Sequence, residues 1–282
     1  MMKKLIITAD DYGMSQSVNE AIRECVVAGI VTSTNLMTGM DYCESISQLR
    51  QDFPKLSVGL HWTLTTVRPV SEVSSIPSLV DEDGMFWSYP IFRQRFKRKQ
   101  INIDEMKYEL LAQYNKYVKL CGAPDYWNTH QNIHVGFEIF DLFLTLASEV
   151  KIKKMRSHQR IKVPTQGKRT VATWRLFLEP FKKIVLNRWM SSAKSKGINA
   201  PDGLLFFMGS EDRLNADYVY RNIDWKENLI AELIIHPATK NDSPYFGSIT
   251  EKRIAEYNYF RNPQLKRLAA DAGVLLCGFE EV

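Results

Sequence analysis

The chain alternates short apolar segments with amphipathic segments along its whole length, and this alternation limits the folds it can adopt. Branched apolar residues such as Leu5-Ile6-Ile7 are typical of buried strands. When strands and helices alternate, the strands form a parallel sheet with the helices packed on it. The sheet could be open or closed into a barrel, and about seven βα units fit a barrel better, so we expect an α/β barrel in a single domain over residues 1–282. The predicted strands cover 5–7, 30–36, 56–64, a strand and turn within 124–135, 203–209, 229–236 and 274–277, with a further short strand at 153–156.

Helical spacing of apolar residues predicts the elements between these strands. The first helix has a capping box in Ser17-Val18-Asn19-Glu20 and stops before Gly29. Residues 66–100 contain three prolines and predict a long irregular excursion over the surface. The other predicted helices cover 41–52, 104–120, 137–150, a basic stretch from Trp174 to Met190 that is broken or kinked near Pro180, and a polar stretch over 250–271.

Composition and cysteine usage indicate the class of protein. The 282 residues are 45% hydrophobic, enough for a sizeable core, and no apolar run is long enough for a membrane span or a signal segment. The four cysteines are scattered without a CxxC pair, which favours reduced thiols over a disulfide framework or a zinc knuckle. We therefore expect a soluble, cytoplasmic protein.

Basic residues are concentrated in one segment of the chain. Residues 151–200 contain 14 Lys and Arg but a single acidic residue, Glu179, so we expect a basic insertion at the barrel rim. Together with Arg93 to Lys99, its amphipathic stretch could rest on anionic lipid, at the periphery of a membrane. The alternative is an ordinary solvated face. A nucleic-acid partner is not expected, because no zinc finger or RNA-binding signature accompanies the charge.

Polar side chains recur where the predicted strands end. Asp10 and Asp11 follow the first strand, His61 ends the third, and His130 and His236 end two others. Because parallel strands end at one face of a barrel, these groups are expected to converge there. The alternative is a solvated Asp-Asp turn with a helix cap and hydrogen-bonded structural histidines.

His130 and His134 form an HxxxH pair, whose meaning depends on the local structure. On a helix, residues i and i+4 share a face and can bind one metal ion. On a strand they would lie roughly 13 Å apart. Trp127 and Pro124 favour a strand before His130, so we expect only His130 to reach a metal.

One carboxylate and two imidazoles form a suitable site for a divalent ion such as Zn²⁺ or Mg²⁺, with water completing the shell. Such an ion polarises a carbonyl group and lowers the pKa of bound water. The second carboxylate of the Asp-Asp pair would then be free to act as a general base.

Four motifs carry a family resemblance. They are Thr8-Ala9-Asp10-Asp11-Tyr12-Gly13, Gly59-Leu60-His61-Trp62-Thr63-Leu64, Thr129-His130-Gln131-Asn132-Ile133-His134 and Glu232-Leu233-Ile234-Ile235-His236-Pro237, in this order. Together they resemble the YdjC-like carbohydrate deacetylases, which include chitooligosaccharide deacetylase and the hopanoid biosynthesis deacetylase. The resemblance implies an irregular barrel of the TIM type and a divalent metal ion. It also implies a homodimer and removal of an acetyl group from an N-acetylated sugar, either an oligosaccharide or a lipid-linked amino sugar.

The resemblance also implies roles for single residues. Asp11 resembles the carboxylate ligand, and His61 and His130 the two imidazole ligands. Asp10 resembles the base that deprotonates the metal-bound water, and His236 is the candidate acid that protonates the leaving amine. Further roles near the substrate are expected for four residues. Arg156 could orient the base or bind substrate, and Glu232 could hold an imidazole. His134 could support the site or face the substrate, and Asn132 could do the same.

The chain departs from the family pattern at three positions. The family usually has Asp where this chain has Asn128, His where it has Asn132, and Gly where it has Ala238. The proposed ligands and base are all present, so the resemblance still implies an enzyme. The two asparagines leave a second hypothesis open, a non-catalytic sugar-binding protein on the same fold.

Overall fold

A computed structural model describes residues 3–135, 137–161, 173–206, 216–223, 225 and 229–282. Among these, seven strands form one parallel sheet in the order β4-β3-β2-β1-β6-β5, and β7 also pairs with β1. This confirms the predicted α/β fold with about seven parallel strands. The strands are β1 (Lys3–Tyr12), β2 (Ser33–Leu36), β3 (Ser57–Trp62), β4 (Trp127–Thr129), β5 (Gly203–Phe206), β6 (Ile230–Ile235) and β7 (Val274–Leu276).

The two outer strands of this sheet, β4 and β5, are connected by residues 154–160. Met155 forms a parallel bridge with Trp127 of β4, and Arg160 forms one with Leu204 of β5. The sheet therefore curls into an irregular barrel whose last gap is closed by single bridges instead of a full strand. The predicted strand at 153–156 corresponds to these bridges, so the start of the basic 151–200 segment belongs to the barrel wall. The single domain with a basic insertion stays a prediction.

Strand β1 lies at the centre of the sheet and positions the site. It pairs with β6 over Lys4–Ala9. It also pairs with β7 over Lys3–Leu5 and with β2 over Thr8–Tyr12. All its residues from Leu5 onward are buried. Asp10 and Asp11 therefore belong to the strand itself. The expectation that they follow its end is wrong, because the pairing with β2 continues to Tyr12.

Helices surround the sheet. They are α1 (Gln16–Val27), α2 (Ile46–Asp52), α3 (Tyr89–Lys97), α4 (Ile103–Cys121), α5 (Phe137–Glu149), α6 (Thr173–Ser195), α7 (Ala216–Asn222), α8 (Thr250–Phe260) and α9 (Gln264–Asp271).

Four helical expectations need correction. Helix α1 is capped by Ser15, whose Oγ accepts the Val18 N–H, instead of by Ser17. Helix α3 lies inside the excursion over 66–100. Helix α6 runs through Pro180 without a break, so of the two alternatives for this proline only a kink stays a prediction. The predicted helix over 250–271 is two helices, because Pro263 cannot continue the first. Part of the strand predicted over 203–209, residues 207–209, lies outside the described residues.

Within the described part of the chain, no helix combines the length and the apolar character that crossing a membrane requires.

Candidate functional site

A bulge in β1 turns two adjacent carboxylates towards the same cavity. The register with β2 shifts between Ala9 and Tyr12, and Asp11 has a φ of 73°. This left-handed conformation is uncommon for a residue other than glycine and is held by a hydrogen bond from the Asp11 N–H to Oδ1 of Asn35 at 3.1 Å. The change in backbone direction that brings both carboxylates to one cavity therefore occurs at Asp11 itself, two residues before Gly13.

One carboxylate oxygen of Asp11 lies close to two imidazole nitrogens. Its Oδ1 lies 3.2 Å from Nε2 of His61 and 3.1 Å from Nδ1 of His130. One ligand atom from each residue lies within 4.8 Å of the other two, and all three side chains are buried. Burial raises the pKa of Asp11, but Arg253 and His130 outweigh it and hold the pKa well below its usual value. An ionised carboxylate with two imidazoles is a donor set that fits a divalent ion.

Asp10 is held by Arg156. Nη1 and Nη2 of Arg156 donate to the two carboxylate oxygens at 2.7 Å each, and Asn35 Nδ2 donates to Oδ1 at 2.6 Å. Burial raises the pKa of Asp10, but the guanidinium more than offsets it and the net pKa is lowered. Of the two roles expected for Arg156, the structure supports orientation of Asp10.

Glu232 does not hold an imidazole, in contrast to the expectation. Its Oε1 accepts hydrogen bonds from Nε and Nη2 of Arg156 at 3.0 and 2.8 Å. It points inward from β6, where its register partner is Ile6, so it supports Arg156 from within the barrel. Burial raises the pKa of Glu232, and Arg156 lowers it only in part.

His236 directly follows β6 and approaches Asp10. Its Nε2 lies 3.8 Å from Oδ2 of Asp10, and its backbone N–H donates to Oε2 of Glu256 at 2.7 Å. Burial lowers the pKa of His236 to about 4, although Asp11 and Asp10 both raise it. The imidazole is therefore neutral at pH 7 in the free protein.

His134 lies behind the cavity wall, away from the Asp11 site. Its Nδ1 is 2.5 Å from Oγ1 of Thr129, and its Nε2 contacts Nε2 of His158. It packs edge-on against Trp127 and Phe143. His134 is fully buried and is not among the residues that line the cavity, so the structure does not support a role facing the substrate and leaves the supporting role, the other expectation. As expected from the strand before His130, one histidine of the HxxxH pair joins the Asp-His-His cluster.

Arg253 was missed by sequence reasoning. It is a buried residue of α8 whose Nη2 donates to Oδ2 of Asp11 at 2.5 Å, and its guanidinium lies 4.8 Å from the ring centroid of Phe246. Glu256, one helical turn later, bonds the His236 backbone. The sequence has no local signal for either residue, because both lie in a polar helix far from the four motifs.

These groups line a cavity of about 240 Å³. Asp10, Asp11, His61, His130, His236 and Arg156 come together there, as does Asn132. The remaining lining residues are Thr129, Gln131, Ile234, Tyr245, Phe246, Gly247, Ser248, Ile249 and Arg253.

Several known proteins are similar to this chain over more than half of its length. A chitooligosaccharide deacetylase of Proteus mirabilis is 35% identical over 172 residues, 59% of this chain and 65% of that relative's length. A carbohydrate deacetylase of Enterococcus faecalis is 26% identical over 99% of this chain and 98% of its own. A crystal structure from Enterococcus faecalis V583, of a protein named for a proposed role in cellobiose-phosphate cleavage, superimposes with a TM-score of 0.76 at 25% identity and covers 99% of this chain and 98% of that chain.

Residues 4–271 match the family described as YdjC-like protein, which is nearly the whole chain. The match confirms the resemblance that the four motifs indicated. The chain therefore belongs to the YdjC-like protein family.

Proposed function

We propose that this protein is a metal-dependent carbohydrate deacetylase that removes the acetyl group from an N-acetylated amino sugar. The observation that carries the proposal is the buried Asp11, His61 and His130 cluster beside a second carboxylate, Asp10. Relatives that span the chain or part of it are named carbohydrate or chitooligosaccharide deacetylases, which supports the same reaction class.

The donor set fits a divalent ion, and Asp11, His61 and His130 would hold it. Such an ion supplies Lewis-acid polarisation of a carbonyl and lowers the pKa of water. Mg²⁺ prefers oxygen ligands, whereas two imidazoles with one carboxylate are typical of zinc, so of the two ions considered the donor set favours Zn²⁺.

Asp10 acts as the general base in this proposal. Its carboxylate remains ionised because Arg156 lowers its pKa, so it can accept a proton from the attacking water. The same ion pair makes Asp10 a weaker base than a free carboxylate. The two hydrogen bonds from Arg156 also fix both oxygens, which keeps Asp10 next to the Asp11 cluster without joining it.

His236 acts as the proton donor to the leaving amine. Since burial keeps its imidazole neutral near pH 7, it must first accept a proton during the reaction. Nε2 is 3.8 Å from Asp10, so a small movement would let Asp10 pass on the proton taken from water. Asn132 lines the same cavity and is proposed to contact the substrate.

Acetate release from N-acetylglucosamine oligosaccharides tests this function. With Zn²⁺ present, we expect turnover by the intact protein and a loss of at least about 100-fold in Asp10→Asn, the size of typical general-base contributions. Asp271→Asn is the matched control, because that carboxylate is exposed in α9. Full activity of Asp10→Asn, or activity that survives a chelator, would refute the mechanism.

A non-catalytic sugar-binding role is the second candidate, and Asn128 and Asn132 favour it because they place neutral amides where the family usually has ionisable groups. Calorimetry with the same oligosaccharides separates the two functions. Tight binding without acetate release, with either Zn²⁺ or Mg²⁺, would support binding alone.

A lipid-linked amino sugar is an alternative form of the substrate. Ile184 of α6 is 66% exposed, and the exposed Arg188 lies one helical turn later, which would suit contact with an anionic membrane. Co-sedimentation with anionic liposomes that is lost at high salt would support this substrate. Absence of co-sedimentation at low salt would favour a free oligosaccharide.

A further inference from the structure

Asn128 lies between the proposed metal ligand His61 and the groups that hold Asp10. It is a fully buried residue of β4. One end of its side-chain amide is 2.6 Å from Nδ1 of His61. The other end is 2.9 Å from Asn35 Nδ2 and 2.9 and 3.0 Å from Nη1 and Nη2 of Arg156.

The partners of Asn35 and Arg156 determine which end of the Asn128 amide they face. Oδ1 of Asn35 accepts the backbone N–H of Asp11, so Nδ2 of Asn35 is the end that faces Asp10 and Asn128. Arg156 has only donors. Both neighbours therefore present N–H groups to Asn128, and only its carbonyl oxygen can accept them.

With its oxygen committed to these donors, Asn128 presents its NH₂ group to His61. Nδ1 of His61 must then accept, which leaves the ring hydrogen of the neutral imidazole on Nε2. Nε2 is the nitrogen that faces Asp11 Oδ1 at 3.2 Å, where its N–H can donate to the carboxylate. A metal ion needs a lone pair on this nitrogen.

We propose that Asn128 is a positioning residue that holds His61 in the Nε2–H tautomer and thereby lowers the affinity of the Asp11, His61 and His130 site for a divalent ion. The inference rests on the proposed function. Ligation by Nε2 would require the hydrogen to move to Nδ1 and the Asn128 amide to rotate. After that rotation the NH₂ group would face the donors of Asn35 and Arg156, and these buried donors would lose their acceptor.

Aspartate at this position would remove the conflict. A carboxylate has acceptors only, so it could accept from His61 Nδ1–H, Asn35 and Arg156 together. This arrangement is the usual support for a metal-ligating histidine, and changing such a partner alters metal affinity by about 10–100-fold. Asn128→Asp should therefore bind Zn²⁺ about 10–100-fold more tightly than the natural chain.

Calorimetric titration with Zn²⁺ tests this expectation, with two further variants separating hydrogen bonding from charge. Asn128→Ala removes the conflict without adding a charge and is expected to bind more tightly than the natural chain, but less tightly than Asn128→Asp. Asn132→Asp adds the same negative charge to the cavity without the contact with His61, so it is expected to tighten Zn²⁺ binding through charge alone and by less than Asn128→Asp. Equal tightening in Asn132→Asp and Asn128→Asp, or no tightening in Asn128→Ala, would overturn the inference.

The tautomer is measured directly on the natural chain without a substitution. Long-range ¹H–¹⁵N correlation spectra of the imidazole rings, assigned with His61→Gln, should give an Nε2–H tautomer for His61 before Zn²⁺ is added and an Nδ1–H tautomer afterwards. An Nδ1–H tautomer in the metal-free protein would contradict the inference.

The outcomes separate this inference from the proposed function. Zn²⁺ binding of equal affinity in the natural chain, Asn128→Ala and Asn128→Asp would leave the function standing and remove the role of Asn128. Absence of Zn²⁺ binding in every variant, with His61 in the Nε2–H tautomer, would overturn the metal-dependent function and leave the hydrogen-bonding role of Asn128 in place.

Discussion

Nη2 of Arg253 donates to Oδ2 of Asp11 at 2.5 Å, although the two residues are 242 positions apart in the chain. The other oxygen of Asp11 faces His61 and His130. One oxygen of the Asp11 carboxylate therefore accepts from a buried guanidinium, and the other faces two imidazoles. In the free protein Arg253 compensates the negative charge of Asp11, a role that a bound divalent ion would share.

Removing the charge of Arg253 should make the protein depend more strongly on a divalent ion. In Arg253→Met, Asp11 is a buried carboxylate without its cation, so we expect a loss of about 3–5 kcal/mol of unfolding free energy without metal. Because Zn²⁺ then becomes the main compensating charge, the rise in melting temperature on adding Zn²⁺ should exceed that of the natural chain. Thermal unfolding with and without Zn²⁺ measures both effects.

Arg261→Met is the matched control for this experiment. Arg261 stacks on Tyr257 at the end of α8 but does not reach Asp11. The control should leave the Zn²⁺-dependent rise unchanged. A rise in Arg253→Met no larger than that of the natural chain would contradict the role assigned to Arg253.

Arg156 holds two buried carboxylates at once, those of Asp10 and Glu232. Arg156→Met should reduce the free energy of unfolding by about 3–5 kcal/mol at pH 7, because both acids lose their buried counter-ion. Urea unfolding measures the loss. Lys107→Met, which breaks the exposed pair with Glu149, should cost under about 1 kcal/mol. Equal losses in the two variants would contradict a structural role for the Arg156 network.

The buried contact between His134 and His158 makes stability depend on pH. Burial, with Arg156 and Arg160, lowers the pKa of His158 from 6.5 to about 3, and burial and His158 also lower that of His134. Below pH 6.5 the unfolded chain binds protons at these histidines that the folded chain does not bind. Stability should therefore fall as the pH drops from about 6.5 towards 3, by about 1.4 kcal/mol per pH unit for each histidine.

His158→Gln tests this dependence. Urea unfolding between pH 6 and pH 4.5 gives the change of unfolding free energy with pH. This slope should be about 1.4 kcal/mol per pH unit smaller in the variant, because one titrating histidine is removed while the remaining titratable groups contribute to both proteins. Identical slopes would mean that His158 titrates alike in the folded and unfolded chains.

The parallel sheet and the convergence of its strand ends could be predicted because they depend on local patterns. Apolar runs identify strands, and alternation with helices makes them parallel, so Asp11, His61 and His130 were expected at one face. The bulge at Asp11 could not be predicted, because it depends on the pairing with β2 and the bond from its N–H to Asn35. Helix α3 was missed because prolines dominate the segment around it.

Contacts between distant residues account for the remaining differences. Glu232 was expected to hold an imidazole. Its actual partner is Arg156, because the Glu232 side chain points inward from β6, and no sequence motif encodes that direction. The burial of His134 could not be predicted, because it depends on packing against Trp127 and Phe143 and on the contact with Thr129. Arg253 and Asn128 act through partners on other strands and helices, so their roles follow only from the folded arrangement.

The proposed function requires Asp11, His61 and His130 to bind one divalent ion. Anomalous diffraction at the zinc absorption edge, from crystals soaked in Zn²⁺, locates such an ion directly. We expect a single peak bounded by Oδ1 of Asp11, Nε2 of His61 and Nδ1 of His130, which is lost in His130→Ala. A peak between His134 and His158 instead, or no peak at these three side chains, would contradict it.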